Sequence, residues 1–268
     1  MIEIKGLTVA LKNNINNFFS LKKKNILITG GSSGIGLHAA KLYLNFGANV
    51  IITARRKKQL DLEIKKANNK NFNSYIMDIT KKNDIKNTLK IIKKKYKKID
   101  VLVNNAGITI SKEIFDHNNS DWTRVINTNL TGAWMISQMV AKEMSKMDRN
   151  ISKSIINITS IASHINLPRV PAYISSKAAL SQLTKYMAME LSMFNIRVNS
   201  IAPGFFPTEL SHDYFNTERG LKMIKRIPMK RLGKLNELDG ALILLASDMS
   251  SYMTGSEIIV DGGMCISK

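Results

Sequence analysis

The sequence predicts an α/β chain: one doubly wound sheet of about seven parallel strands, with helices on both faces. Three observations carry this reading. Short apolar runs alternate with longer helical stretches seven times along 268 residues. Each apolar run is hydrophobic nearly throughout, not at every second position, as expected of strands covered on both faces. A glycine-rich turn directly follows the first run and opens a helical stretch, which is where such folds bind anions.

The elements follow in order. Residues 1–24 are polar and irregular and read as an N-terminal arm; residues 25–268 read as a single domain, with no Pro/Gly/Ser-rich linker. Asn25–Thr29 carries Ile26, Leu27 and Ile28, a buried first strand. Helical spacing then runs over Ile35–Phe46 and stops at Gly47, a residue type favoured at helix ends. Val50, Ile51 and Ile52 form a second strand, followed by a helix over 57–67, a strand over 74–77, a helix over 84–96 and a strand at Val101–Val103. One continuous helix is expected over 121–146. Next come a strand at Ile155–Ile158, a helix over 172–194, a strand at Ile196–Ile201, a loop-rich stretch over 203–232, a helix over 236–246 and a strand at Ile258–Val260.

Composition excludes several classes. The single cysteine, Cys265, rules out an internal disulfide framework and makes a reducing, cytoplasmic setting the expectation. The longest apolar runs span about six residues against the roughly 20 of a membrane-crossing helix, so no membrane partner is expected. Leu7–Leu11 is too short for an export signal. The four histidines have no metal-ligand spacing, so no metal is expected; His164, four residues after Ser160, is a candidate for the pocket wall, and His212 falls in the loop-rich stretch.

The net charge of +20 comes from lysine: of 40 Lys+Arg only nine are Arg, alongside 35 Ile and 26 Asn. These are residues of A/T-rich codons, so base composition is the plain explanation. Attraction to an acidic partner is the functional one. Residues 57–98 hold 14 Lys and four acids but only three aromatics, Phe72, Tyr75 and Tyr96, too few for an interleaved pattern, which argues against nucleic acid as the partner.

Chemistry-bearing residues sit after the strands. Thr29, Gly30, Gly31, Ser32, Ser33, Gly34, Ile35 and Gly36 form a turn whose backbone can approach a pyrophosphate and whose helix presents free N–H groups to it. At the end of the second strand, Arg55 and Arg56 stand where a dinucleotide site chooses its coenzyme; a cation there accommodates a 2′-phosphate, which favours NADP over NAD. Tyr173 and Lys177 lie four apart on a helix, so the ammonium can sit beneath the phenol. A phenol must fall by roughly 3 units from its usual pKa to exchange protons near neutrality, and a nearby cation supplies the right sign of field.

The glycine pattern T-G-x-x-x-G-x-G at Thr29–Gly36, N-N-A-G at Asn104–Gly107 and Y-x-x-x-K at Tyr173–Lys177 resemble the single-domain branch of the short-chain dehydrogenase/reductase family, over about residues 18–264. The resemblance implies a Rossmann-type sheet and hydride transfer between a nicotinamide and a substrate carbon, with Tyr173 giving or taking the proton at oxygen. It assigns Ser160, by its 13-residue spacing to Tyr173, to the substrate carbonyl, in preference to Thr159. It assigns Asn129, in N-L-T-G context and in preference to Asn127, to a proton relay, and Lys177 also to the nicotinamide ribose. Asp78 and Ile79 would border the adenine, with a helix N-cap as Asp78's other reading. Asn105, Ala106 and Gly107 would back the coenzyme, and Pro203, Gly204 and Thr208 would grip its carboxamide and phosphate side. Residues 205–230 would form a lid.

Within that class, reduction of a ketone or 3-oxoacyl thioester is favoured, with an acyl carrier protein as an acidic partner. The alternatives are a sugar, polyol or secondary-alcohol dehydrogenase, and, in another class, a non-catalytic nucleotide sensor or nucleic-acid-binding protein. Phe205, Phe206, Leu210 and Ile165 suggest an apolar pocket. The low charge of 121–146 and 172–194 suggests helices paired between copies, in a homotetramer.

Overall fold

The computed structural model describes residues 19–208 and 215–267. Leu210 and His212 lie outside the described residues, as do Leu7–Leu11 and most of the expected arm. The part that is described does not stand apart: Leu21 is fully buried in the core, and its N–H donates to the Phe46 carbonyl.

Seven strands form one parallel sheet: β1 (Asn25–Thr29), β2 (Asn49–Ala54), β3 (Phe72–Ile76), β4 (Val101–Asn104), β5 (Lys153–Ile158), β6 (Ile196–Pro203) and β7 (Glu257–Val260). Their order is β3-β2-β1-β4-β5-β6-β7, so the winding reverses between β1 and β4. The helices are α1 (Gly34–Asn45), α2 (Lys57–Ala67), α3 (Lys82–Tyr96), α4 (Asn119–Ile126), α5 (Ala133–Met144), α6 (Pro171–Leu191), α7 (Glu218–Arg226) and α8 (Asp239–Ala246).

The apolar runs resolve into two faces. Successive strand side chains alternate sides. Ile26, Ile28, Val50, Ile52, Val101 and Val103 pack with Ala39, Ala40 and Tyr43 of α1 and Leu242 and Leu245 of α8. Leu27, Ile51, Leu102, Ile155 and Val198 face the other way, against Ile85 and Ile92 of α3, Ile136 and Val140 of α5 and Met187 of α6. A run without polar interruption is what a sheet clad on both sides requires.

Two expectations are corrected. The helix expected over 121–146 is broken by a π-helical turn, Asn127–Gly132, between α4 and α5. The turn lets Asn129 reach the loop after β4, and Gly132 meets Ile79 where a Cβ would lie 2.8 Å from the Ile79 carbonyl oxygen. The second concerns detail within the loop-rich stretch over 203–232, where a helix is not resolved from sequence. It contains α7, capped by the Thr217 hydroxyl accepting from Gly220 N–H at 3.1 Å and braced by the Glu218–Lys222 ion pair at 2.6 Å. Elsewhere the boundaries shift by a few residues, as at β3, α3 and the 3₁₀ turns Ser192–Phe194 and Leu235–Leu238 that absorb helix ends.

Candidate active site

A cleft of about 1450 Å³ opens beyond the carboxyl ends of the strands, at the reversal of the winding. It exceeds the range of about 300–1,000 Å³ usual for a small-molecule site.

Its floor begins at the glycine turn. Gly30, Ser32, Ser33, Gly34 and Ile35 line it. Gly30 has φ +65° and would place a Cβ 2.7 Å from the Ala106 Cα, so only glycine lets β1 and β4 lie this close. Gly36 is not on the wall: a Cβ there would meet the Gly30 carbonyl oxygen at 2.6 Å and the Asn105 amide, so its smallness serves the packing of α1. Ser33 is the N-cap of α1 but puts no side-chain bond on its N–H groups, and no acid stands in the first turn. Among the described residues, the helix start is thus left to an anion.

Asn105 closes the seam. Its side chain donates to the carbonyls of Thr29 (3.1 Å) and Gly30 (3.0 Å), and the Thr29 hydroxyl accepts the N–H groups of Asn105 and Ala106, each at 3.1 Å. Asn104 donates to Asn157 of β5 at 2.8 Å. Thr29 is thus a site residue to which sequence reasoning gave no role of its own, though it heads the glycine motif.

At the end of β2, Arg55 and Arg56 line the cleft beside Asp78 and Ile79. Arg56 donates to the Ser33 hydroxyl at 3.2 Å, so a guanidinium from β2 covers the turn residue that itself carries no charge. Asp78 accepts from the Thr80 N–H (3.0 Å) and hydroxyl (2.7 Å). Burial works to raise its pKa, but those bonds and the charges of Arg55 and Lys81 hold it below the usual value. Asp78 is not a helix cap: α3 starts with Lys81 as its N-cap.

The opposite wall is carried by β5, β6 and α6. Ser160 follows β5 and Tyr173 lies in the first turn of α6; both line the cleft, and the Ser160 hydroxyl acts on the Tyr173 phenol. Lys177, one turn on, lies 5.7 Å from the Tyr173 ring centroid and donates to the Ile158 carbonyl at 2.7 Å. Burial lowers the Lys177 amine to about 8. Burial also pushes the Tyr173 phenol up, against the Ser160 hydroxyl that lowers it. Burial outweighs the Ser160 effect, so in the coenzyme-free fold the phenol stands above its ordinary value.

Asn129 is buried behind the wall. Its Oδ1 accepts from Ile108 N–H at 2.8 Å, and its Nδ2 donates to the Ile108 carbonyl (3.0 Å) and the Ser176 hydroxyl (3.1 Å). Ser176 in turn donates to the Tyr173 carbonyl at 2.7 Å. This chain joins the π turn to α6 through a residue that sequence reasoning passed over, although it lies inside Y-x-x-x-K. Gly107, Pro203, Gly204 and Thr208 also line the cleft, and a Cβ on Gly34 would stand 3.5 Å from that of Thr208. Ile165, Phe205 and Phe206 add apolar surface.

His164 is not on the cleft wall. It pairs with Glu257 of β7 at 2.5 Å. Glu257 also accepts from Thr159 (2.6 Å), Ser200 (3.0 Å) and Ser181 (3.2 Å), clasping the segment that carries Ser160 from both sides. Nothing in the sequence pattern flags this long-range clasp. No group of three or more metal-ligating side chains occurs among the described residues.

A glycine cradle at a helix start, two arginines at the far end and a Ser–Tyr–Lys group on the other wall fit an anionic nicotinamide dinucleotide and a carbonyl or alcohol substrate. This is the build of a nicotinamide-dependent oxidoreductase. The comparisons narrow it: residues 30–265 match the family model described as enoyl-(acyl carrier protein) reductase. The chain is 39% identical to 3-oxoacyl-(acyl-carrier-protein) reductase of Thermotoga maritima, over 92% of this chain and 99% of that protein. It is 36% identical to 5-keto-D-gluconate 5-reductase of Escherichia coli, over 94% and 99%. The structure of a gluconate 5-dehydrogenase from Burkholderia cenocepacia in complex with NADP and tartrate superposes with a TM-score of 0.89 at 30% identity, covering 95% of this chain and all of that one. The chain belongs to the short-chain dehydrogenase/reductase family, as an oxidoreductase acting on CH–OH and C=O groups. No described helix is long and apolar enough to cross a membrane.

Proposed function

We propose that this chain is an NADP-dependent reductase of ketones, with 3-oxoacyl thioesters as the favoured substrates, and that it also runs in the reverse direction. The observation that carries the reading is the convergence of Ser160 and Tyr173 on one cleft wall, with the Lys177 amine 5.7 Å from the Tyr173 ring centroid. Ser160 and Tyr173 hold the substrate oxygen; Tyr173 delivers the proton to it, Lys177 supplies positive charge one turn along, and a relay at Asn129 would return a proton to the phenol. When bound, the reduced coenzyme supplies hydride to the carbonyl carbon. Gly30, Ser32, Ser33, Gly34 and Ile35 would hold its pyrophosphate. Arg55 and Arg56 would hold a 2′-phosphate, and Asp78 and Ile79 the adenine. Asn105, Ala106 and Gly107 would back it, and Pro203, Gly204 and Thr208 would close it in. NADP is supported by the two arginines and by the solved relative that holds it.

The thioester is supported by the apolar lining and by the relative from Thermotoga maritima. Reduction of a keto sugar acid is the second reading, supported by the 5-keto-D-gluconate 5-reductase likeness. The reading also includes a lid over 205–230, of which 209–214 lie outside the described residues, with α7 forming one side of the cleft, and a reducing, cytoplasmic setting for the free Cys265. A homotetramer is supported by the exposed Trp122, Trp134, Tyr186 and Met189 on α4, α5 and α6, and light scattering measures it. An assay of NADPH oxidation with acetoacetyl thioester and with 5-keto-D-gluconate tests the substrate. Tyr173→Phe tests the chemistry: turnover should fall about 10²–10⁴-fold while NADPH affinity persists. Turnover that survives the substitution rejects the assignment.

A further inference from the structure

Five of the chain's nine arginines, Arg55, Arg56, Arg169, Arg219 and Arg226, line the cleft, against only Lys177 and Lys222 among its 31 lysines. A cation excess set by base composition would not sort the two residue types in this way. Lysine is the background, and arginine is placed. Arg55 and Arg56 sit at the coenzyme end, beside Ser33 and Asp78. That leaves Arg169, Arg219 and Arg226 on the rest of the wall.

Their placement is specific. Arg219, Lys222 and Arg226 recur at i, i+3 and i+7 on α7, one helical face, and all three border the cleft. Arg219 and Arg226 form no ion pair with any described residue. Arg169 stands on the loop before α6 with φ +68°, a left-handed backbone that is uncommon for a non-glycine residue. Its carbonyl accepts from Lys112 N–H at 2.9 Å, which fixes that backbone, and strain of this kind gathers at ligand clamps. Of the acids on the cleft wall, Glu113 alone accompanies them, 3.2 Å from Arg169. Beside these cations the wall is apolar: Phe205 and Phe215 meet edge to face at 6.1 Å, with Ile165 close by.

We propose that the substrate carries a carboxylate or phosphate remote from its reacting carbonyl, and that Arg169, Arg219 and Arg226 grip this oxyanion at the cleft mouth. The forked guanidinium matches such oxygens in pairs, as an ammonium cannot. The substrate is thus amphipathic, with an apolar stretch against the phenylalanines and an anion at its far end. The inference rests on the hydride-transfer reading for the identity of the ligand as substrate.

The test uses the full chain with three substrates: acetoacetyl-CoA (a phosphate-bearing thioester), 5-keto-D-gluconate (a carboxylate) and neutral ethyl acetoacetate. The wild type should prefer one charged substrate over the neutral ester by at least about tenfold in kcat/KM. That preference should collapse toward unity in Arg219→Ala/Arg226→Ala, mainly through KM, and fall by about tenfold in Arg169→Ala. Arg219→Lys/Arg226→Lys should recover only part of it. Whichever charged substrate shows the effect identifies the source of the anion. A wild type without preference, an equal loss on all three substrates, or a loss of NADPH affinity in the double variant would each overturn the proposal, the last by assigning the cations to the coenzyme. Calorimetric titration of the charged ligands into the NADP⁺-saturated protein separates the two readings. Arginine-dependent binding without any turnover would sink the hydride-transfer reading and leave the anion site standing. Turnover indifferent to the arginines would do the opposite.

Discussion

The Lys177 amine donates to the backbone carbonyl of Ile158 at 2.7 Å, which ties α6 to the last residue of β5, two positions before Ser160. This bond sets the height of the amine under Tyr173, and it is made in a setting dry enough to lower the Lys177 pKa to about 8. Holding the charge there therefore works against stability.

The sign of its pH dependence follows. In the unfolded chain the amine keeps its proton up to its usual value of 10.5; in the fold it loses it around 8. Below about pH 8 both states are charged and the fold bears the burial penalty. Between the two values the unfolded state binds more protons, so this group's contribution to stability rises with pH. Lys177→Met should abolish turnover yet stabilise the coenzyme-free protein at neutral pH, by on the order of 1–2 kcal/mol. The gap should narrow as the pH approaches 10. Thermal unfolding of both proteins at several pH values measures it; a Met variant less stable at neutral pH would mean that the Ile158 bond outweighs desolvation.

Arg55 and Arg56 should discriminate coenzymes. Replacing both by Ala should raise the Kd for NADPH by about tenfold or more, the worth of one charge-assisted bond, and shift NADH much less. Fluorescence titration with both coenzymes decides it. Equal losses would assign the arginines to a part that the two coenzymes share.

The π turn gives a third expectation. Gly132→Ala would bring a Cβ to 2.8 Å from the Ile79 carbonyl oxygen and closer still to its side chain. Ile79 is buried and cannot yield freely. The variant should lose about 1–3 kcal/mol. It should also weaken coenzyme binding, because Ile79 lines the cleft. Unfolding and titration of the same sample measure both.

These cases mark how far the sequence could be read. The strands were legible because a sheet covered on both faces demands apolar residues throughout, as in Ile26–Ile28. The glycine turn and the Tyr173–Lys177 pair were legible because their chemistry depends on spacing within one element. The π turn was not, since residues 119–144 keep helical periodicity across it and only the tertiary bonds of Asn129 to Ile108 reveal the extra residue. Nor was the upward push on the Tyr173 phenol, because desolvation depends on what the rest of the chain packs around it. Leu21 reads as part of an arm because the short stretch Phe18-Phe19-Ser20-Leu21, ahead of three lysines, has no period, yet Leu21 fills the core.

The least legible feature gives the last expectation. Glu257 is on β7, nearly a hundred residues from Thr159 in sequence, and holds that residue, His164, Ser181 and Ser200 through two carboxylate oxygens. Thr159 precedes Ser160, and His164 follows the 3₁₀ turn Ile161–Ser163 that Ser160 caps. Removing the carboxylate leaves several hydroxyls short of an acceptor and frees the segment at both ends. Glu257→Ala should cost on the order of 2–3 kcal/mol in stability. It should lower kcat more than it raises the KM for NADPH, since the coenzyme cradle on β1 and β2 is untouched. Glu257→Gln keeps one accepting oxygen, which can serve Thr159 and Ser200, and should restore much of kcat. Steady-state kinetics with unfolding midpoints for both variants decide the matter: a Gln variant as slow as the Ala variant, at recovered stability, would show that the negative charge itself matters and not the positioning it provides.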